Sequence, residues 1–266
     1  MAEHIIRDGH MHTPFCPHGS KDALEAYVEE AIRLGRKMIT FTEHFPLPED
    51  MMPPEELRYC ALALEEVPLY LSAVDKVKKD YIEHIKINKG FEVDYIEGKE
   101  EVIKKYLGYF GEEIEDGVLS VHFVLYKGKY YGIDLIEQFE TLLEETKSIE
   151  TIYDLYFDTL LKSIEADLGP YKPKRIGHPT LVRIFNQKYP CDYDDRGRFK
   201  KILTAVRERG MALDFNVAGF RRPLCKESYP SGRFLQMAKE MQIPFVPGSD
   251  AHEVAHMSLI DQVINK

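Results

Sequence analysis

Histidines and acids recur in this chain at the ends of short apolar or glycine-bracketed runs. Asp8-Gly9-His10-Met11-His12, His18, Thr42-Glu43-His44, Gly90-Phe91-Glu92-Val93-Asp94, Ser120-Val121-His122, Gly177-His178-Pro179 and Ser249-Asp250-Ala251-His252 span almost its whole length. Each run reads as a strand end. Side chains so distant in sequence meet if the strands lie parallel and present their C-terminal ends on one face, as in an α/β barrel. Imidazole and carboxylate suit zinc, iron and manganese. The set exceeds the needs of one structural zinc, so it points to several ions and to metal-assisted hydrolysis.

The intervening segments fit that arrangement. Strands are expected at residues 4–7, 37–42, 85–92, 117–124, 174–177, 212–215 and 244–247, and helices at 21–34, 68–84, 100–107, 149–168, 199–209 and 233–241. In the first helix Leu24, Tyr27, Val28, Ala31 and Ile32 share one face and Gly35 stops it. The proline-rich stretch 46–54 reads as an irregular loop, 111–117 as a solvated acidic turn, and 125–136 as a hairpin excursion around Lys127-Gly128-Lys129. Strands alternating with helices in this way fit a closed or nearly closed parallel barrel. His10, His44, Glu92, His122, His178 and Asp250 then each fall at or just past the C-terminal end of a different strand.

Bulk properties narrow the partners. A chain of 266 residues makes one large domain or two small ones. The formal net charge of -10 argues against nucleic-acid or membrane-surface binding, and no apolar run approaches a membrane span. Met-Ala-Glu-His carries no signal-peptide pattern. Cys16, Cys60, Cys191 and Cys225 form no C-x-x-C, the usage of reduced thiols in a cytoplasmic protein. Cys16 lies between His12 and His18, within reach of the site, although the imidazoles already suffice as ligands.

Taken singly, each motif has a plainer reading. His10 and His12 point to the same side of a strand and grip one ion together, or are two polar residues at a strand end. Asp8 in front of them is placed to orient a ligand. Asp250-Ala251-His252 has the same spacing and also reads as a turn capping the next helix. His122 also reads as a core histidine and His178 as a loop one. Glu92 is the most telling residue, because a carboxylate in an apolar strand requires a cation or donors to offset its desolvation. His4, His84 and His256 read as structural or surface groups.

The ordered set DGHMH, TEH, GFEVDY, SVHF, GHP and SDAH resembles the PHP (polymerase and histidinol phosphatase) family from His10 to His252. The length, His18, the early GFEVDY and the segment Asn216-Val217-Ala218-Gly219-Phe220-Arg221 resemble its histidinol-phosphatase branch. The resemblance implies a single domain over residues 1–266 with a distorted seven-stranded (β/α)7 TIM-like barrel and the metal site at the C-terminal strand ends. It implies three divalent ions, of zinc, iron or manganese. His10, His12, Glu92 and Asp250 would hold the first, a bridging Glu92 with His122 and His178 the second, and His18, His44 and His252 the third.

The activity so implied is hydrolysis of the small phosphomonoester L-histidinol phosphate to L-histidinol and phosphate, in histidine biosynthesis. Three divalent ions against Glu92, Asp250 and a bridging hydroxide leave about +3 in the pocket, which attracts a phosphate dianion to an acidic protein. The expected chemistry is in-line attack by that hydroxide. Asp250 and His252 are the nearest groups for protonating the leaving alkoxide, although both are also ligands in this scheme. Arg183 and Arg221, with Arg222 as alternate, are expected to clamp phosphate, and Asn216 to hydrogen-bond substrate or a metal-bound oxygen. Phe15, Phe45, Glu43 and the 46–54 loop are the expected sources of a wall around the histidinol moiety. A PHP phosphoesterase acting on nucleotides or phosphodiesters is the competing reading, weakened by the charge of -10. A non-catalytic barrel is a third, opposed by the intact ligand set.

Overall fold

The computed structural model describes residues 6–264. In chain order the elements are β1 (Arg7–Met11), α1 (Leu24–Arg33), β2 (Met38–His44), α2 (Pro54–Cys60), α3 (Val67–Asp80), β3 (Lys86–Asp94), α4 (Glu100–Phe110), β4 (Asp116–Ser120), β5 (Phe123–Tyr126), β6 (Lys129–Gly132), α5 (Ile136–Thr146), α6 (Ile149–Glu165), β7 (Arg175–Ile176), α7 (Arg196–Glu208), β8 (Ala212–Asn216), α8 (Gly232–Glu240), β9 (Phe245–Gly248) and α9 (Leu259–Ile264). One seven-stranded sheet runs β1-β2-β3-β4-β7-β8-β9 with every neighbour parallel. The ends of the order meet past the strands themselves. His12 N donates to Ala251 O at 2.9 Å and Asp250 N to His10 O at 2.7 Å, so the sheet curls into a nearly closed barrel at its C-terminal rim.

Sequence pattern and element agree where one face is apolar. In α1, Leu24, Tyr27, Val28 and Ala31 are buried and the following Gly35 takes φ 77°, the left-handed turn expected of a helix stop. α3 buries Val67, Tyr70, Leu71, Val74 and Val77 against the barrel. The Tyr70 hydroxyl donates to the carbonyls of Phe41 (3.1 Å) and Gly90 (2.8 Å), tying the helix to β2 and β3.

Three differences have physical causes. The expected strand over 117–124 stops at Ser120. The chain then turns into the antiparallel β5–β6 hairpin, with Phe123 opposite Gly132, and leaves His122 on the connection. The expected first strand is displaced to Arg7–Met11, and its residues His4 and Ile5 lie outside the described residues. The helices α2, α5 and α9 were not expected. α2 follows the proline-rich loop and buries no residue, so it carries no apolar stripe.

Candidate metal centre

Seven strands deliver their C-terminal ends to one place, and the expected ligands meet there. Glu92, near the end of β3 and 1% exposed, sits at the centre. Its Oε2 lies 3.4 Å from each of His10 Nε2, His12 Nε2 and His44 Nδ1. Its Oε1 lies 2.7 Å from His178 Nε2 and 3.7 Å from His122 Nε2. One carboxylate therefore faces two donor groups with different oxygens. Asp250 Oδ1 closes the first group at 3.3 Å from His12 Nε2 and 3.8 Å from His10 Nε2.

Among the described residues, three sets of donor atoms are close enough to hold an ion: His10, His12 and Glu92; Glu92, His122 and His178; and His12, Cys16, His44 and His252. The second is the expected group, and the first holds three of its four expected ligands, with Asp250 outside the set. The third brings in Cys16, and His18 stands beside it with ring centroids 4.9 Å from His44 and 5.1 Å from His252. The fit to metal ions shows in the orphaned atoms. Among the described residues, His10 Nε2, His12 Nε2, both ring nitrogens of His44 and His178 Nδ1 are buried without a hydrogen-bond partner. Buried polar groups are ordinarily satisfied, so a cluster of aimed, unpaired imidazoles is a cation site.

Carboxylates behind the rings fix which nitrogen points inward. Asp214 Oδ2 on β8 holds His10 Nδ1 at 2.7 Å, Asp94 Oδ1 on β3 holds His122 Nδ1 at 2.8 Å, and Glu43 Oε1 on β2 holds His12 Nδ1 at 3.2 Å. This is the carboxylate–histidine arrangement that orients metal ligands. Gly248 makes room for it, because a Cβ there would collide with Asp214 and lie 2.7 Å from His10 Cβ. Burial opposes charge on His10, yet Glu92, Asp214 and Asp250 hold its pKa up to about 10. His122, likewise buried, is held at about 10 by Asp94 and Glu92. Burial, reinforced by His12, pushes His44 and His252 well below the usual histidine range and leaves them neutral donors. For Glu92 and Asp250 burial is outweighed by the surrounding imidazoles, so both stay well below the usual carboxylate range.

The residues expected to bind substrate are placed elsewhere. Arg183 is committed to an ion pair with Glu227. Arg221 spends its guanidinium on the carbonyls of Ser249 and Asp250, both at 2.8 Å. Asn216 is fully buried. Its Nδ2 donates to Asp214 (3.1 Å) and Asp250 (3.2 Å), and its Oδ1 accepts from Ala218 N, so it positions carboxylates. Glu43 is sealed from solvent, accepting also from Thr13 N (3.0 Å) and His44 N (3.0 Å). Phe15 stands edge-on to Tyr70, and Phe45 is buried against Phe91. Asp8 takes the backbone N–H groups of Ser249 (3.0 Å) and His10 (3.3 Å) and no imidazole. Asp250 and His252, the expected general acids, both stand within the donor cluster, Asp250 Oδ1 at 3.3 Å from His12 Nε2 and His252 in the set with His12, Cys16 and His44.

The pocket over the ligands is lined by two charged groups outside the expected ligand set, Arg222 and Asp134, with Leu181, Ile184, Ala218 and Tyr229 completing the wall. Arg222 is the neighbour of the expected Arg221. Asp134, on the β6–α5 connection, carries no sequence signal. Asp214 and Asp94 carried the same signal as Glu92, a carboxylate inside an apolar strand.

A PHP domain model matches residues 8–218. The chain belongs to the PHP family. It is 42% identical over 250 residues to the histidinol-phosphatase of Bacillus subtilis (strain 168), covering 93% of each chain. A crystal structure of a Listeria monocytogenes protein described as a candidate histidinol phosphatase superposes with TM-score 0.89 at 37% identity, over 94% of this chain and 97% of that one. The Lactococcus lactis histidinol phosphate phosphatase, complexed with zinc, L-histidinol and phosphate, shares the fold at TM-score 0.68 and 18% identity, over 98% and 94%. This barrel gathers a histidine-rich donor cluster at its strand ends. Among the described residues no helix is long and apolar enough to cross a membrane.

Proposed function

We propose that this PHP protein is a metal-dependent phosphomonoesterase that hydrolyses L-histidinol phosphate to L-histidinol and phosphate in histidine biosynthesis. The observation that carries the reading is a multi-metal donor cluster in a chain 42% identical, over 93% of both lengths, to a histidinol-phosphatase. We read residues 1–266 as one barrel domain and place it in the cytoplasm, where its four free cysteines suit a reducing medium.

We assign His10, His12, Glu92 and Asp250 to one ion, Glu92, His122 and His178 to a second, and His18, His44 and His252 to a third, with Cys16 beside the last. Divalent zinc, iron or manganese bound there would lower the pKa of water toward neutrality and offset charge on phosphate oxygens. The chain supplies the remaining parts. Asp214, Asp94 and Glu43 hold three imidazoles in the ligating tautomer. Arg222, whose guanidinium makes no hydrogen bond to another described side chain, offers forked donors to the phosphate from the pocket wall. Arg221 and Asn216 hold the loop that carries Asp250.

The test is phosphate release by protein of measured metal content. L-histidinol phosphate is compared with nucleotide monophosphates and p-nitrophenyl phosphate. A strong preference for L-histidinol phosphate, abolished by chelation and by His10→Ala, is expected. Metal-replete protein that ignores L-histidinol phosphate and cleaves another phosphoester contradicts the proposal.

A further inference from the structure

The pocket above the ligands is electrically lopsided. Arg222 lines it, its charge acting on Tyr229 and His256. Asp134, on the short connection between β6 and α5, lines it too. The Asp134 carboxylate makes no hydrogen bond or ion pair with another described residue, and no ion pair joins it to Arg222. Its charge acts on His18, His122 and Cys60, which places it at the rim of the cluster and not within any of the three donor sets.

The surface next to it is acidic too. Leu135 adjoins Asp134, and the groove it lines, of about 410 Å³, also carries Glu55, Glu56 and Glu137 with the half-exposed ring of Tyr59. His18 of the pocket lining touches Tyr59 of the groove: its Nδ1 donates to Tyr59 O at 2.9 Å and its ring lies 5.5 Å from that of Tyr59. Among the described residues, no basic one lines this groove. A phosphate is repelled from that side and drawn to Arg222, so the organic end of a bound phosphomonoester is left facing acids and an aromatic ring. That surface suits a cation.

We infer that Asp134 is a specificity-determining residue that receives the cationic end of the substrate's leaving group, selecting amine-bearing phosphomonoesters over uncharged ones. This rests on the proposed phosphatase reading and adds the residue that reads the leaving group. Asp134 touches substrate and takes no part in bond breaking. A carboxylate facing an ammonium makes a charge-assisted hydrogen bond, which a neutral amide replaces poorly.

The experiment compares metal-loaded wild type, Asp134→Asn and Asp134→Glu on L-histidinol phosphate and on p-nitrophenyl phosphate, which has no amine. It also titrates each with L-histidinol by calorimetry and records inhibition by inorganic phosphate. For Asp134→Asn, KM for L-histidinol phosphate and the dissociation constant of L-histidinol should rise about tenfold or more. KM for p-nitrophenyl phosphate, phosphate inhibition and metal content should stay at wild-type values, and Asp134→Glu should recover part of the loss. Equal effects on both substrates, or none on either, overturn the inference. Wild-type protein inactive on L-histidinol phosphate instead overturns the proposed function, a result visible before any variant is made.

Discussion

The two ends of the barrel interior both bury charge, and they treat it in opposite ways. At the N-terminal strand ends, Asp116 Oδ2 on β4 accepts from Arg7 of β1 at 2.6 Å, Thr40 of β2 at 2.8 Å and Arg175 of β7 at 3.1 Å. Arg175 also donates to Gly9 O at 2.7 Å, filling the space that the missing side chain leaves. At the C-terminal ends, the imidazoles of His10, His12, His44 and His178 keep ring nitrogens without partners among the described residues. The lower cluster joins four strands through two guanidinium groups, one carboxylate and the Thr40 hydroxyl, although Arg7 Nε and Arg175 Nε and Nη1 have no hydrogen-bond partner among the described residues. The upper one gathers imidazoles and a carboxylate whose ligand atoms converge as the donor set of a cation site. In a barrel the first arrangement stabilises and the second performs chemistry.

The sharpest way to break this contrast is at Glu92. Glu92→Gln removes the carboxylate shared by two donor sets and should lower kcat/KM on the order of a thousandfold, measured as phosphate release, because metal assistance is worth several kcal/mol. Its thermal midpoint in the presence of chelator should be no lower than that of the wild type. Asp116→Asn should behave in the reverse sense. Removing one partner of a largely buried ion pair leaves Arg175 uncompensated and costs roughly 3 kcal/mol in denaturant titrations, with activity per bound metal retained. Asp214→Asn lies between the two regions. It should weaken metal binding about 10–100-fold, read by competition with a chelating dye, through loss of the His10 partner. A fall in stability as large as that of Asp116→Asn would show the two ends to be one network.

A smaller effect separates them by pH. Burial opposes charge on Asp116, but Arg175, Thr40 and Arg7 outweigh it and lower its pKa from 3.8. A depressed carboxylate contributes stability that is fully present above its unfolded pKa and is lost as pH falls through the folded value. The wild type should therefore lose stability more steeply than Asp116→Asn below about pH 4 in acid unfolding curves.

The upper region was far more legible in sequence than its surroundings. Imidazoles and a carboxylate ending apolar runs announce ligands, because such groups are costly to bury without a cation. That reasoning reached His10, His12, Glu92, His122 and His178, which the structure brings together. It failed for Arg183 and Arg221, whose fates depend on Glu227 and on two backbone carbonyls that no local pattern reveals. It failed for Glu43 for a related reason: a TEH motif shows an acid beside a ligand, and only the β1–β2 pairing aims it at His12. The barrel followed from alternation of strand and helix. The end of β4 at Ser120 did not, since Val121, Phe123 and Val124 beyond it are apolar and only His122 interrupts them.

The central claim is that the unpaired donors at the upper end exist to hold several ions and that Glu92 joins them. The most direct measurement is the metal-to-protein ratio of wild type and Glu92→Gln by elemental analysis after equilibration with zinc, iron or manganese. The account predicts three ions per wild-type chain and no more than one in the variant. Equal stoichiometry in the two proteins would contradict it.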